Sequence, residues 1–526
     1  MKPTAQFDDL LKTKPTRRAV SVRLLLGTSI ALAILAVASY FWHQYQVNRL
    51  APELLAQAEA LEAEGKLIES TQRIYQYLQI NPDDAEARIT LAETYDSAAD
   101  DMARKQRAIE LYSEALRTAP AAKRTELHRR LGTLLLDVAQ FQLQALDTTV
   151  EGRRLEISSR FTAAAEEAGA VIENDRDDPE AWRVLAWSLL GREQLEMLPD
   201  EDLATMPEGA RSIGSAFQRA VDWNPADVRL AVQLARFYRA QPDLLDPAQQ
   251  ELSETRRADL ADAAVDRAVA ADPEDAEAYV VRSVYRNAFG IPGAAEDLDR
   301  ALQLAPDSPA VQMACGLTAQ GKADQLESDG AVLEARTARE TAIGHFNRAS
   351  EIAPADSRPY LLLGSLYRRQ GELEQAIRVL ESGLAQTDEN NLQLNALLAE
   401  CLLDRAEQDD SLWQQVDTCL DRYQRAVERL RPLISQRRRE GLEATGALLR
   451  GRLLVRQSNF QAAIARLDGL LRDFPSLETR DRQIANRLLE QSHRALEQWD
   501  RAAAAAEEVV RLDPDAVAAR LTAAID

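Results

Sequence analysis

The sequence predicts an all-α chain in which pairs of helices stack one after another, preceded by one apolar helix of membrane-spanning length. Two observations carry this prediction: a helix ending that recurs along the chain, and a single uncharged apolar stretch near the amino terminus. The composition agrees, because 46% hydrophobic with only 5% aromatic residues is a mixture rich in Ala and Leu, which suits close-packed helices. At 526 residues the chain is too long for one compact core and must divide into domains or grow by repetition.

The first predicted elements are a basic leader, residues 1–23, and an apolar stretch from Leu24 to Trp42 that carries no charge. As a helix, this stretch would span about 28 Å, close to the thickness of a bilayer's hydrocarbon core. Arginines flank its amino-terminal end, so the positive-inside rule places that end in the cytoplasm and everything after a linker at 43–52 on the exported side. We therefore expect a signal-anchor helix.

Two alternatives stay open for the apolar stretch. Ala36-Val37-Ala38 is an acceptable signal-peptidase site, and cleavage there would release a secreted protein. The segment removed would be longer than the usual signal peptide of about 15–30 residues, which favours the uncleaved anchor. A buried core helix is the weaker alternative, because nothing before it in the chain is suited to pack around it.

A recurring helix ending marks the rest of the chain, residues 53–526. Most copies have an apolar or aromatic residue, then a small or apolar residue three positions later, then a proline five positions after that. Pro273 and Pro306 are 33 residues apart, and the other intervals are longer, which indicates a unit of about 34 residues with insertions. The prolines concerned are Pro82, Pro120, Pro225, Pro273, Pro306, Pro354 and Pro514.

Between the prolines a second signature alternates large and small residues. The clearest copy covers residues 357–386, in which Tyr360, Gly364 and Tyr367 mark one helix and Ala376 marks the next; a second copy covers residues 444–475. Small residues let two helices approach closely, and large ones fill the space beside them. We expect Gly364 to lie where two helices touch.

This pattern resembles the tetratricopeptide repeat family over residues 53–514, with about ten or eleven units. The resemblance implies a right-handed superhelical solenoid whose first helices line a groove that grips a segment of a partner protein. By register, the groove-facing candidates are Arg183, Trp187, Val232, Arg236, Val280, Val284, Leu361 and Ser365. Chaperone-binding members of the family hold the terminal carboxylate of a partner with a clamp of Lys, Asn and Arg residues. The matching positions here, such as Ile89 and Glu93, hold other residue types, so this clamp is not expected.

Several units contain extra polar residues between their two helices. We predict extended helix ends or surface loops there, and favour lengthened helices over specialised binding loops. The insertions are residues 137–160, 190–210, 241–258, 320–338 and 403–425. For Trp187 the alternative to a groove role is that the insertion at 190–210 folds back and covers it.

Residues that could carry catalysis or bind a metal are scattered along the sequence. The three cysteines and four histidines show no metal-ligand spacing, although Cys401 and Cys419 could pair after export if helix packing brought them together. No phosphate-binding loop or nucleophile elbow occurs. With a net charge of −22, the chain would repel nucleic acid. No cofactor, metal, nucleic acid or small-molecule substrate is expected, and the chain is not expected to be an enzyme.

The function implied by the resemblance is a membrane-anchored scaffold that binds other proteins through its groove on the exported side. The alternative is the substrate-recruiting or regulatory part of an enzyme. Its catalytic domain would then lie on another chain or in a carboxyl-terminal region beyond Asp526.

Overall fold

The computed structural model describes residues 22–99, 101–145, 151–207, 209–406, 412–431, 434, 436–475 and 477–512. Throughout these residues the regular secondary structure is helical, and no strand occurs among them. The all-α prediction is confirmed for this part of the chain. The chain divides into two compact units, Met1–Leu134 and Leu135–Asp526, and the division falls within one helix.

The helices of the first unit follow one another with short turns. They are α1 Val22–Ala63, α2 Leu67–Ile80, α3 Ala85–Ser97, α4 Met102–Thr118 and α5 Ala121–Ala145, the last of which crosses the division. α2 packs on α1, α3 packs on α2, and α4 packs on α3. This is the sequential pairing that the repeat pattern predicts.

The apolar stretch Leu24–Trp42 and the predicted linker at 43–52 both belong to α1, so the linker is not a break in the helix. Most side chains from residue 21 to residue 49 lie outside the part of the chain that the structure describes. Within the described part, no helix combines the length and the hydropathy required to cross a bilayer.

The second unit contains the remaining helices. They are α6 Glu151–Asn174, α7 Pro179–Gln194, α8 Asp200–Thr205, α9 Ile213–Trp223, α10 Val228–Ala240, α11 Pro247–Gln250, α12 Glu254–Ala271, α13 Ala276–Phe289, α14 Ala294–Leu304, α15 Pro309–Ser328, α16 Val332–Ile352, α17 Ser357–Arg369, α18 Leu373–Gln386, α19 Leu392–Arg405, α20 Trp413–Leu430, α21 Gln436–Arg456, α22 Phe460–Asp473, α23 Thr479–Ala495 and α24 Trp499–Leu512. A 3-10 turn, Pro242–Leu244, precedes α11.

The recurring prolines end the second helix of each pair, as predicted. In six cases the last helical residue lies two positions before the proline, because a residue that precedes proline is pushed out of the helical region. These are Ile80 before Pro82, Thr118 before Pro120, Trp223 before Pro225, Ala271 before Pro273, Leu304 before Pro306 and Ile352 before Pro354.

Two residues after most of these prolines, a short polar side chain caps the next helix. Asp84, Asp227, Asp275, Ser308 and Asp356 each accept a hydrogen bond from a backbone N–H in the first turn of that helix. A cap of this kind stabilises a helix by about 1 kcal/mol. The proline and the cap together fix where one pair stops and the next begins.

Within the second unit, most of the longer helices pack against the next long helix in the sequence, and several first helices of successive pairs also pack against one another. α10 contacts α13, α13 contacts α15, α17 contacts α19, and α19 contacts α21. Every pair therefore completes its core with the next, which is the arrangement that makes repeat proteins stable. The right-handed superhelical coil stays a prediction.

The insertions take two forms. Those at 137–160 and 320–338 lengthen the helices on either side, α5 with α6 and α15 with α16, as predicted. At 403–425, α19 ends at Arg405 and α20 begins at Trp413. The insertions at 190–210 and 241–258 instead form the short helices α8 and α11 with their connecting turns, so the favoured alternative of lengthened helices does not apply there.

Candidate protein-binding face

The register of the repeats is visible where the two helices of a pair touch. A Cβ atom added to Gly364 of α17 would lie 2.6 Å from Cδ2 of Leu380 on α18. In the pair α21 and α22, a Cβ atom on Gly451 would lie at the same distance from Cδ2 of Leu467. Both partners stand sixteen positions after the glycine. The predicted role of Gly364 is confirmed, and these glycines define the inner, pair-facing position of the first helix.

The residue directly after this small position lies about 100° further around the helix and so turns away from the pair interface. Ser365 follows Gly364, and Val284 follows Ser283, which is buried at the equivalent position of α13. By the same rule Leu317 follows Gly316, whose added Cβ would collide with the Phe346 ring on α16. We define the first-helix face as the surface formed by these outward positions.

Two large apolar side chains stand exposed on this face, on first helices that pack together. Val284 of α13 is 54% exposed and Leu317 of α15 is 49% exposed. They are 33 residues apart, the spacing of Pro273 and Pro306, and so occupy equivalent places in successive repeats. Adjacent exposed apolar side chains on a rigid surface are typical of protein-binding sites.

Leu317 was absent from the sequence-based candidates although a signal for it exists. The extra turns of α15 hide the repeat register, because the glycine and its partner ring are separated by thirty positions instead of sixteen. Adding the proline interval of 33 to Val284 finds Leu317 directly.

The other predicted groove residues fall into three groups by exposure. Arg236 is exposed, as is Val284. Arg183, Trp187, Val280, Leu361 and Ser365 are half-buried. Val232 is only 7% exposed and serves as a core residue of α10, so the predicted groove role does not suit it.

Trp187 on α7 packs on a second helix rather than standing free. Its ring meets the ring of Phe217 on α9 edge to face, with 5.2 Å between the centroids. Helix α9 covers part of Trp187 through this ring contact. Within the insertion at 190–210, the Nη2 group of Arg192 donates a hydrogen bond of 3.1 Å to the carbonyl of Met197.

Most of the cations beside the first-helix face are neutralised by buried or half-buried acids. Arg282 and Arg286 of α13 both bond to Asp297 of α14, which is almost fully buried. Arg239 of α10 bonds to Asp262 of α12 through both carboxylate oxygens, at 2.6 and 2.8 Å.

Arg236 differs from these arginines. Among the described residues it has neither a hydrogen bond nor an ion pair. The face therefore combines an apolar centre, Val284 and Leu317, with an uncompensated positive charge on α10.

Tyr285 forms hydrogen bonds with both Arg239 and its partner Asp262. The Tyr285 hydroxyl donates a hydrogen bond of 2.7 Å to Asp262 and accepts one of 2.8 Å from Nε of Arg239. Burial, followed by the hydrogen bond to Asp262, raises the pKa of Tyr285 well above its usual range. The hydroxyl stays protonated at neutral pH, which suits a structural tie between α10, α12 and α13 and not a general base.

Two of the cysteines and two of the histidines lie in packed surroundings. Cys401 and Cys419 are buried, and neither forms a disulfide. His345 and His493 each share a hydrogen bond of 2.8 Å with a glutamine side chain. No cluster that could hold a metal ion occurs within the described ranges.

Two segments of the chain match models of the tetratricopeptide repeat, residues 335–401 and residues 420–478. These segments are similar to tetratricopeptide repeats. They include the pair α17 and α18 and the pair α21 and α22, in which the glycine contacts define the register. The family resemblance inferred from the sequence is confirmed for this part of the chain. Tetratricopeptide repeats are generally non-catalytic scaffolds for protein–protein interaction.

Similar solved structures are distant from this chain. The human IFIT1 dimer with PPP-AAAA has 16% identity and a TM-score of 0.36, covering 89% of this chain and 95% of that chain. Yeast Tom70 has 17% identity and a TM-score of 0.31, with coverages of 88% and 92%. PilW, described as a widely conserved type IV pilus biogenesis factor, has 21% identity and a TM-score of 0.32, with coverages of 48% and 95%. No curated protein matches the chain in sequence.

Proposed function

We propose that the chain is a scaffold that binds a partner protein on the first-helix face of α10, α13, α15 and α17. The single observation that carries this proposal is the exposure of Val284 and Leu317 at equivalent positions of adjacent helices. Burying two such side chains against a partner removes apolar area from water, which is the main driving force of association. Val280, Leu361 and Ser365 flank this centre and would complete the contact.

The test is a photo-crosslinking amino acid placed at Leu317 in intact cells, followed by identification of the captured protein and binding measurements with purified components. Leu317→Asp and Val284→Asp should each weaken binding about tenfold or more, because a charge replaces an apolar anchor. Leu155→Asp is the matched control, since Leu155 is equally exposed but lies on α6. The proposal fails if the two face variants bind as well as the control.

We also propose that Leu24–Trp42 anchors the chain in a membrane, with the repeats on the exported side. The support is the uncharged sequence together with the exposure of the large side chains that are described there, which are Leu32, Ile34, Leu35, Val37 and Trp42. Large apolar side chains exposed along one helix are costly in water and favourable in lipid. Carbonate extraction of membranes would test the anchor, and release of the chain into the soluble fraction would contradict it.

A further inference from the structure

The hairpin of α15 and α16 is two turns longer than its neighbour. α15 and α16 have 20 and 21 residues, whereas α17 and α18 have 13 and 14. From the pair contact to the turn there are fourteen residues in the long hairpin, Gly316 to Gly330, and seven in the short one, Gly364 to Gly371. Both turn glycines have a φ of 78°, so the turns are equivalent.

The extra length is therefore all at the tip. Seven residues are about two helical turns, so the added segment extends about 10 Å beyond the turn of the next pair and keeps its packing face. Ala323 of α15 and Ala335 of α16 are fully buried between the two helices of the extension.

Ion pairs brace the extension at its base. Nη2 of Arg369, on α17, contacts Oδ1 of Asp324 on α15 at 2.6 Å. Arg339 of α16 forms an ion pair with Glu327 of α15 across the hairpin. The tip therefore stands at the end of two helices that pack together and are joined by ion pairs, as expected of a rigid projection.

The tip itself is apolar and acidic. Val332 and Leu333 are 71% and 74% exposed, the highest values among the large hydrophobic residues described in the chain. Asp329 and Glu334 stand on either side of them, both exposed and without an ion pair to any described residue. Nothing within the described fold uses this pair of side chains.

The tip and the first-helix face have complementary chemistry. The tip presents two apolar side chains beside uncompensated carboxylates, and the face presents Val284 and Leu317 beside the uncompensated Arg236. Joining the two would bury apolar surface on both sides and bring opposite charges together.

We propose that the occupant of the first-helix face is the α15–α16 tip of a second copy of this chain. This inference rests on the proposed function of that face. The interface is head to tail, since different surfaces of the two copies meet, and it leaves one tip and one face free at the ends of an assembly. A tip of this size buries less than the roughly 800 Å² per partner of a stable complex, so the association is weak in solution. Anchoring in one membrane would raise the effective concentration of the copies.

Charge reversal in separate copies provides the test, with full-length protein in lipid nanodiscs that each hold one copy. One variant carries Arg236→Glu, and the other carries Asp329→Arg with Glu334→Arg. Each variant alone should self-associate about tenfold more weakly than the unaltered chain in sedimentation velocity, because like charges then meet. A mixture of the two variants should regain association, because the basic tip of one variant then meets the acidic first-helix face of the other. Glu372→Arg, at the exposed turn before α18, is the control and should leave self-association unchanged.

Leu333→Asp separates this inference from the function on which it rests. It removes the apolar tip without altering the face, and we expect it to abolish self-association. The inference is overturned if the unaltered chain does not self-associate up to about 100 µM, which is the weakest association expected of an interface this small. It is also overturned if Leu333→Asp associates normally, or if the mixed variants fail to recover. If Leu317→Asp lowers capture of a different protein while Leu333→Asp changes nothing, the face binds a partner and self-docking is wrong. If Leu317→Asp affects neither readout, the proposed function itself is wrong.

Discussion

At the residue scale, the small residues inside the helix pairs carry much of the specificity of the fold. The side chain of Leu380 occupies the space where Gly364 would carry a Cβ atom, so any larger residue must push α17 and α18 apart. Gly321 of α15 has no atom within 4 Å of the place where its Cβ would lie. The two glycines therefore differ in environment although both are helical.

Substitution of each by alanine should give opposite results. Gly364→Ala should lower the free energy of unfolding by about 1–3 kcal/mol through overpacking, and Gly364→Leu by more. Gly321→Ala should raise it by about 0.5–1 kcal/mol, because alanine favours the helix and meets no neighbour. Urea denaturation of the variants measures both effects, and equal stability of the two alanine variants would contradict the register.

The buried thiols make the stability depend on pH in the alkaline range. Burial raises the pKa of Cys401 to about 12 and that of Cys419 to about 11. In the unfolded chain both thiols ionise near their ordinary pKa of about 8.5. The folded state holds its protons longer, so the contribution is fully present below about pH 8.5 and is lost as the pH rises towards the folded pKa values.

We therefore expect the free energy of unfolding to fall between about pH 8.5 and pH 10. Urea denaturation across this range measures the slope, and the double variant Cys401→Ala, Cys419→Ala should show a shallower one. Identical slopes for the two proteins would mean that the thiols are not protected from ionisation in the folded state.

At the element scale, helix α7 shows how one helix serves two neighbours. Trp182 is 3% exposed, and its Nε1 donates a hydrogen bond of 2.8 Å to the carbonyl of Arg176. Trp187 lies about 140° away around the helix axis. It is half-buried and meets Phe217 edge to face.

Truncation of the two tryptophans should have unequal costs. Trp182→Ala should destabilise the protein by about 3–5 kcal/mol, as the loss of a core aromatic residue does. Trp187→Ala should cost less, about 1–2 kcal/mol, because part of the ring is already in water and the edge-to-face contact contributes about 0.5–1.5 kcal/mol. Thermal unfolding of both variants checks the order; equal losses would make Trp187 a full core residue.

At the scale of the whole molecule, the proposed anchor makes a prediction about topology. The arginines before Leu24 lie on the cytoplasmic side in this proposal, and the repeats lie on the exported side. An alkaline phosphatase reporter fused after residue 60 should be active, because this enzyme folds only after export. A reporter that functions only in the cytoplasm should be inactive at the same position, and the reverse pattern would contradict the proposed orientation.

The sequence by itself determined the helical class, the positions of the proline-terminated helix ends and the contact at Gly364. These features are local or repeat at a fixed interval, so one copy of the pattern predicts the others. The caps two residues after the prolines, such as Asp227 and Asp275, were found in the structure, although a short polar residue at the start of a helix is also a local feature.

The tertiary structure alone decided which positions of that pattern are exposed. Val232 and Val280 each lie seven positions after a repeat proline, yet Val232 is buried and Val280 is only half-buried, because exposure depends on what the neighbouring helices place beside each residue. The insertions show the same limit: polar sequence of similar length became two extra helical turns at 320–338 and one separate short helix at 190–210. Helix propensity favours both outcomes, and packing against the adjacent pairs selects between them.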